Sequence, residues 1–255
     1  MGKLFKVLYF VLAIIFFISW FEVKKLPAAS EINPALLQAP IQASSTERVN
    51  FDYYYRNKWY SVKPLADYEL WGLVVSQNNI NAWYNYYHDE NSVNLKDVCV
   101  VWGDNVKDGA YNQKSLNFKS GEWTCYFGWS GNLEKQFYPF KLSNNHLLAD
   151  NEKVLSTIRN VNIGDQIHFK GALIDYSEKG SSWLRQTSLS REDENGNSRS
   201  GGACEIVFVD KIDIIKHNKA IWNSVYDWTG RVALGTFLLN ILWVFIDTRR
   251  RPHKS

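Results

Sequence analysis

The sequence has few cysteines and lacks the short motifs that mark common catalytic sites. Cys99, Cys125 and Cys204 are too few for a disulfide-built scaffold, and no pair has the Cys-x-x-Cys spacing of zinc or redox sites. Neither Gly-x-Ser-x-Gly nor Ser-x-x-Lys occurs in a suitable setting. Gly201-Gly202 is not followed by the Lys-Ser/Thr of a phosphate-binding loop. These absences argue against a serine hydrolase and an NTPase.

A large excess of charge of one sign is also missing. The formal net charge is +3 over 255 residues, and much of it comes from the tail Arg249–Lys254. Proteins that bind polyanions usually carry a basic patch on the folded domain itself. We therefore expect no nucleic-acid partner, and no residue pattern predicts a cofactor.

Two apolar segments lie near the chain ends. Val7–Phe21 contains no charge, and Val232–Ile246 is followed closely by Arg249–Arg251. Apolar segments flanked by basic residues are typical of membrane helices with their basic flank in the cytoplasm. The segments predict a two-pass protein of the inner (plasma) membrane, with both termini cytoplasmic and the central domain extracytoplasmic. The predicted parts are a transmembrane signal anchor at 1–25, a transmembrane helix at 225–247 and a basic cytoplasmic tail at 248–255.

The segment between them reads as a linker at 26–48 and a β-rich domain at 49–218. In Val161–Tyr176 a Gly-Asp turn precedes an alternation that places Ile167 and Phe169 on one face and His168 and Lys170 on the other. Gly171 predicts a bulge or a bend. Residues 160–216 thus resemble part of a small Greek-key barrel of the OB type. The predicted fold class is mainly β (α+β), with this barrel portion and two flanking transmembrane helices.

Two further local predictions concern residues in the central domain. Leu142–Asp150 predicts a short helix capped by Ser143 or Asn144. Cys99 and Cys125 both lie in strand-like runs and form the preferred disulfide pair in an oxidising compartment, the alternative being buried unpaired thiols.

One candidate catalytic site consists of a thiol and a base. Cys204 follows two glycines and precedes Glu205, which is a further candidate for the site, and His146 is available elsewhere in the fold as a base. Such chemistry requires the thiolate beside an oriented imidazole, and sequence spacing does not show whether they meet. The simpler interpretation is that Cys204 is a structural thiol at the start of a buried strand.

A metal site and a solvated acidic turn are the two interpretations of a run of His, Asp and Glu residues. His88, Asp89 and Glu90, with His146 or His168, are residue types that bind zinc, but successive side chains on an extended loop point apart. The acidic turn is the preferred interpretation, and no metal is predicted.

Aromatic residues form the last candidate site. Exposed Tyr and Trp rings stack on sugars or cover a partner's apolar surface. The predicted function is a non-catalytic, membrane-anchored envelope protein that binds a protein partner or a glycan, as a subunit of a membrane complex, with homo-oligomers possible. The alternative is a membrane-bound thiol hydrolase that uses Cys204 with His146. The predicted partner surface comprises Tyr53, Tyr55, Trp59, Trp83, Tyr86 and Tyr87.

Overall fold

The computed structural model describes residues 3–44, 47–80, 93–121, 124–189 and 204–250. The chain divides into a helical unit, residues 1–25 with 219–255, and a β unit, residues 26–218. The helices are α1 (Lys3–Glu22), α2 (Asp104–Lys107), α3 (Glu152–Asn160) and α4 (Ala220–Arg250), and the strands are β1 (Ile41–Ser44), β2 (Phe51–Tyr55), β3 (Lys58–Asn79), β4 (Lys96–Val101), β5 (Leu116–Ser120), β6 (Cys125–Trp129), β7 (Leu142–Leu148), β8 (Gln166–Glu178) and β9 (Cys204–Lys216).

Five strands of the β unit close into a ring. The long strand β3 pairs with β8 along its first part and with β4 along its second part. From β4 the ring continues through β7 to β9, which runs parallel to β7, and then through β8 back to β3. Closure leaves these strands without an open edge along the ring.

Alternate residues of the five strands fill the inside of the ring. Leu70, Val98, Leu147, Phe169 and Val207 come from β3, β4, β7, β8 and β9 in turn, and all are fully buried. Burying a side chain of this size contributes roughly 1.5–3 kcal/mol. The predicted alternation along β8 is confirmed, because Ile167 and Phe169 belong to this core while Lys170 is exposed.

Two apolar layers cover the outside of the ring. The first layer packs the β5–β6 hairpin and the segment around Leu36 against residues such as Leu73 and Val101. The second layer packs the β2 hairpin, through Tyr53, against Leu148 and other residues of β7, β8 and β9. Buried polar residues of β7 lie between these two layers.

Helix α3 closes one part of the ring. Asn151 caps it by accepting hydrogen bonds from the backbone N–H groups of Lys153 and Val154. At its other end, Lys96 Nζ donates to the backbone carbonyls of Arg159 (2.9 Å) and Val161 (2.8 Å). Burial lowers the pKa of Lys96 to about 8.

The prediction of two membrane-spanning helices is wrong. Helices α1 and α4 form at the predicted places, but no helix among the described residues is long and apolar enough to cross a membrane. Val7–Phe21 and Val232–Ile246 each contain 15 residues, about 22 Å at 1.5 Å per residue, against a bilayer core of about 30 Å. The two-pass inner-membrane location, with its signal anchor and cytoplasmic tail, is overturned with them.

Within the helical unit the two helices contact each other. The rings of Phe16 and Tyr226 stack with their centroids 5.0 Å apart. Lys219 Nζ lies 2.8 Å from Glu22 Oε2 and lowers the pKa of that carboxyl group.

The predicted fold class needs correction beyond the membrane helices. The fold is mainly β with α-helices, and residues 160–216 supply only β8 and β9 of the five-stranded ring. The helix predicted at Leu142–Asp150 is also wrong, since Leu142–Leu148 forms β7 and the helix begins at Glu152. Strand β7 is paired on both sides, which favours extended backbone over the local helix signal.

Gly171 marks the tightest approach in the ring. The register of β8 against β9 shifts between Lys170 and Gly171, as expected at a bulge, and a Cβ at residue 171 would lie 2.1 Å from the Phe208 carbonyl oxygen. We expect Gly171→Ala to lower the free energy of unfolding by about 1–3 kcal/mol, because the two backbones must separate.

Urea unfolding of the full chain measures this effect. Gly128→Ala in β6 is the control, since a Cβ there meets only Asn117 Oδ1 at 4.0 Å and a change within about 0.5 kcal/mol is expected. Equal stability of the two variants would show that β8 and β9 do not approach this closely.

Candidate active site

A short polar segment separates the two apolar layers on the outer face of β7. Along this face Leu142 belongs to the first layer and Leu148 to the second. Asn144 and His146 lie between them, and both are buried. Because residues two apart on a strand share a face, the two polar side chains are neighbours. Buried polar groups at such a position need partners from the adjacent strands.

The strand register supplies those partners. Asp97 of β4 lies directly opposite His146, and Cys204 of β9 lies opposite Asn144. Asp97 and His146 are separated by 49 positions in the sequence, and Asn144 and Cys204 by 60. Closure of the ring therefore assembles Asp97, His146 and Cys204, which we call the triad.

The contacts within the triad are direct. His146 Nδ1 lies 2.7 Å from Asp97 Oδ1, and the exposed fractions of the two residues are 4% and 1%. His146 and Cys204 also interact electrostatically, since each shifts the pKa of the other towards its charged form. Since Asp97 occupies Nδ1, Nε2 is the nitrogen that remains to serve the thiol. Asn94 Nδ2 donates to Asp97 Oδ1 at 2.5 Å and holds the carboxylate in place.

Two further polar groups border the thiol. Cys204 Sγ lies 3.7 Å from the hydroxyl oxygen of Thr124 and 3.8 Å from Asn144 Nδ2. Asn144 Nδ2 also lies 3.3 Å from His146 Nε2. The Cys204 backbone is fixed on its other side, because its N–H donates to Ser188 Oγ (3.2 Å) and its carbonyl accepts from the Ser188 N–H (3.0 Å).

These contacts shift both titrating groups towards an ion pair. Burial disfavours the imidazolium, but the Asp97 charge and hydrogen bond, together with Cys204, outweigh it and raise the pKa of His146 to about 10. Burial also disfavours the thiolate, but the hydrogen bond and charge of His146, then Thr124 and Asn144, outweigh it and lower the pKa of Cys204. A thiolate beside an imidazolium is the reactive form of a catalytic cysteine.

The Cys99–Cys125 disulfide lies next to this site. It joins β4 to β6, with the two Cα atoms 5.8 Å apart. In the sheet Cys99 is paired with Asn144, which is paired in turn with Cys204. Thr124, which contacts the Cys204 sulfur, directly precedes Cys125. The disulfide thus fixes the segment that places Thr124 against the thiol.

Glu205, considered with Cys204 and His146 as a catalytic group, is not part of the triad. Glu205 pairs with Asn145 of β7, which is the position next to the Asn144–Cys204 pair. Because adjacent strand residues point to opposite faces, Glu205 points away from the thiol. Asp97 takes the orienting position instead.

The structure describes three residues of the predicted aromatic surface, Tyr53, Tyr55 and Trp59. Tyr53 is buried in the second layer and stacks on the partly buried Tyr55 at 5.8 Å. Trp59 is 51% exposed and packs on Tyr54. Trp83, Tyr86 and Tyr87 lie outside the described residues.

Of the metal candidates, the structure describes His146 and His168, and the two have different contacts. His168 stacks on Trp71 at 4.4 Å and its Nε2 lies 2.7 Å from Glu69 Oε1, in contacts that do not involve His146. His88, Asp89 and Glu90 lie outside the described residues. In the ranges that the structure describes, no group of His, Cys, Asp and Glu side chains is arranged to hold a metal ion.

Sequence reasoning missed Asp97, Asn144 and Thr124. The one signal available was Asp97 itself, a carboxylate at the start of the β-branched run Val98–Val101. A charged residue within a buried strand requires a partner, but which partner depends on strand pairing. The sequence pattern instead predicts Ser143 or Asn144 as a helix cap.

The assembled side chains can perform nucleophilic chemistry. A thiolate nucleophile, a base positioned by a carboxylate, and adjacent N–H and O–H donors are the parts needed for acyl transfer. Comparisons with known proteins add no assignment: no protein family, curated protein or solved structure matches the chain.

Proposed function

We propose that the protein is a cysteine-dependent hydrolase that acts on acyl compounds such as esters, thioesters or amides. The observation that carries the proposal is the triad, in which Asp97 contacts His146 Nδ1, while Asn144 Nδ2 lies 3.3 Å from His146 Nε2 and 3.8 Å from Cys204 Sγ. This arrangement activates the thiol and orients the base in one structure.

The reaction proceeds through an acyl-enzyme. The Cys204 thiolate attacks the carbonyl carbon, the C–S bond forms and the carbonyl electron pair moves to oxygen. Return of that pair expels the leaving group, and the His146 imidazolium gives up its proton, directly to a basic leaving group or to solvent water when the leaving group needs none. Neutral His146 then removes a proton from water, which attacks the thioester and releases the acid and the thiol.

The activity of the full chain towards p-nitrophenyl acetate tests this proposal. We expect release of p-nitrophenolate and an acetyl group on the peptide that contains Cys204, and we expect neither from Cys204→Ala. Release at the same rate from Cys204→Ala, or acetylation confined to lysines, would refute the proposed function.

A non-catalytic role in binding a protein or glycan is the second candidate. Tyr54 and Trp59 support it, because they are 53% and 51% exposed and pack together with ring centroids 5.0 Å apart. They lie on the β2–β3 hairpin and take no part in the triad. Trp59→Ala is therefore expected to leave acylation of Cys204 unchanged, and serves as a surface control in the esterase assay.

A further inference from the structure

We propose that the Asn144 side-chain amide is a catalytic group of this site, which donates a hydrogen bond to the oxyanion formed when Cys204 attacks a carbonyl. This inference rests on the proposed function and adds a residue to it. Asn144 Nδ2 lies 3.8 Å from Cys204 Sγ and 3.3 Å from His146 Nε2, so the amide hydrogens lie beside both reacting groups.

The backbone N–H of Cys204 is already engaged, which favours a side-chain donor for the oxyanion. In many thiol and serine hydrolases the N–H of the nucleophile itself stabilises the oxyanion. Here the Cys204 N–H donates to Ser188 Oγ at 3.2 Å, and the Ser188 N–H donates to the Cys204 carbonyl. This reciprocal pair holds the backbone towards Ser188 and leaves the oxyanion to be met by side chains.

Burial strengthens the contribution of Asn144. Its exposed fraction is 1%, and its strand is paired on both sides, with Cys99 as one neighbour and Cys204 as the other. A donor that is held in place and shielded from water requires little reorganisation as charge develops. The Thr124 hydroxyl, 3.7 Å from the sulfur, borders the same position from the β5–β6 hairpin.

The movement of electrons during acylation defines the role proposed for Asn144. When the thiolate sulfur bonds to the carbonyl carbon, one electron pair moves from the C=O bond to oxygen. An N–H donor stabilises that oxygen until the pair returns and the bond to the leaving group breaks. Alkylation of the same thiolate by iodoacetamide displaces iodide from a saturated carbon and forms no oxyanion, so the two reactions separate this role from activation of the thiol.

The test compares both reactions in the full chain carrying Asn144→Leu, which keeps similar volume without an N–H donor, and Asn144→Ala. We expect acylation of Cys204 by p-nitrophenyl acetate to fall by about 10²–10³-fold, with alkylation changed by only a few fold. Asn145→Ala is the matched control, because Asn145 is equally buried but belongs to the opposite face of β7.

Each other outcome contradicts a particular claim. Equal losses in acylation and alkylation would show that Asn144 only supports the thiolate, and unchanged acylation would show that it has no catalytic role. If the wild-type chain is not acylated at Cys204 at all, the proposed function itself fails. Circular dichroism of each variant establishes that the rates refer to folded protein.

Discussion

Acylation of Cys204 at pH 7 is expected to fall by about 10²–10⁴-fold when His146 is replaced by Ala. The substitution removes the group whose hydrogen bond and charge lower the pKa of the thiol, while the burial that raises that pKa remains. It also removes the base that must activate water for deacylation. The measurement is the rate of p-nitrophenolate release, with the acyl group located by peptide mass spectrometry.

The dependence of this rate on pH should change as well. In the wild type the Cys204 pKa is lowered and the His146 pKa is raised to about 10, so the ion pair persists from the lowered thiol pKa up to about pH 10. Without His146 the thiolate forms only at higher pH, so the rising limb of the acylation profile should move to higher pH.

His168→Ala is the matched control for this prediction. His168 is also partly buried beside a carboxylate, Glu69, and stacks on Trp71, but it does not contact the triad. Its replacement should leave both the rate and the pH profile unchanged. Equal effects of the two histidine substitutions would assign the loss to general destabilisation of the ring.

Loss of the Cys99–Cys125 disulfide is expected to lower the free energy of unfolding by about 3–4 kcal/mol. The bond closes a loop with a sequence separation of 26, and a crosslink of this length restricts the unfolded chain by about that amount. The double variant Cys99→Ala/Cys125→Ala, unfolded in urea beside the wild type, measures the difference.

Loss of the disulfide should also make the β5–β6 hairpin open more often in the folded protein. The two strands form a separate sheet, and an isolated hairpin is marginally stable in water. Further hydrogen bonds join its end to β3, between the Ser76 and Ser120 hydroxyls (2.5 Å) and from Asn78 Nδ2 to the Gly121 carbonyl (3.2 Å). We expect faster amide hydrogen exchange in β5 and β6 of the double variant.

Dithiothreitol provides the control for the disulfide. It should destabilise the wild type to the level of the double variant and leave the double variant unchanged. If the reductant has no effect on the wild type, or if the double variant is as stable as the wild type, the disulfide does not hold the hairpin as described.

The sequence allowed the β character of the chain and the alternation in β8 to be predicted, because these depend on local patterns. Ile167 and Phe169 face the core as their spacing requires. Cys99 and Cys125, chosen because both lie in strand-like runs, are bonded to each other in the structure. Both predictions used local sequence patterns, namely the alternation of apolar residues in β8 and the strand-forming residues around each cysteine.

The triad could not be predicted because its three residues meet only through strand pairing. Its central strand carries Asn144 and His146 on the face between the two layers, so Leu142–Leu148 lacks the apolar alternation of an ordinary strand and resembles a capped helix instead. If that segment is taken to be a helix, there is no strand pairing to bring Asp97 and Cys204 next to His146. The same polar residues thus obscured the strand and formed the site.

The membrane prediction failed for a different reason. The predicted bounds 1–25 and 225–247 include polar flanking residues, and each apolar stretch within them contains 15 residues. Asp227 and Arg231 lie within the first part of α4, and Thr236 and Asn240 interrupt its apolar stretch. A flanking segment can add to the length of a membrane-spanning helix only if the bilayer accommodates its polar side chains.

The reactivity of Cys204 tests the central claim most directly. The full chain is treated with iodoacetamide at pH 7, once folded and once unfolded in urea, and the alkylation of Cys204 is followed by peptide mass spectrometry. Because the triad lowers the thiol pKa only in the folded protein, we predict that Cys204 reacts faster folded than unfolded. Protection of Cys204 until the protein unfolds would identify it as a structural thiol and contradict the proposed catalytic role.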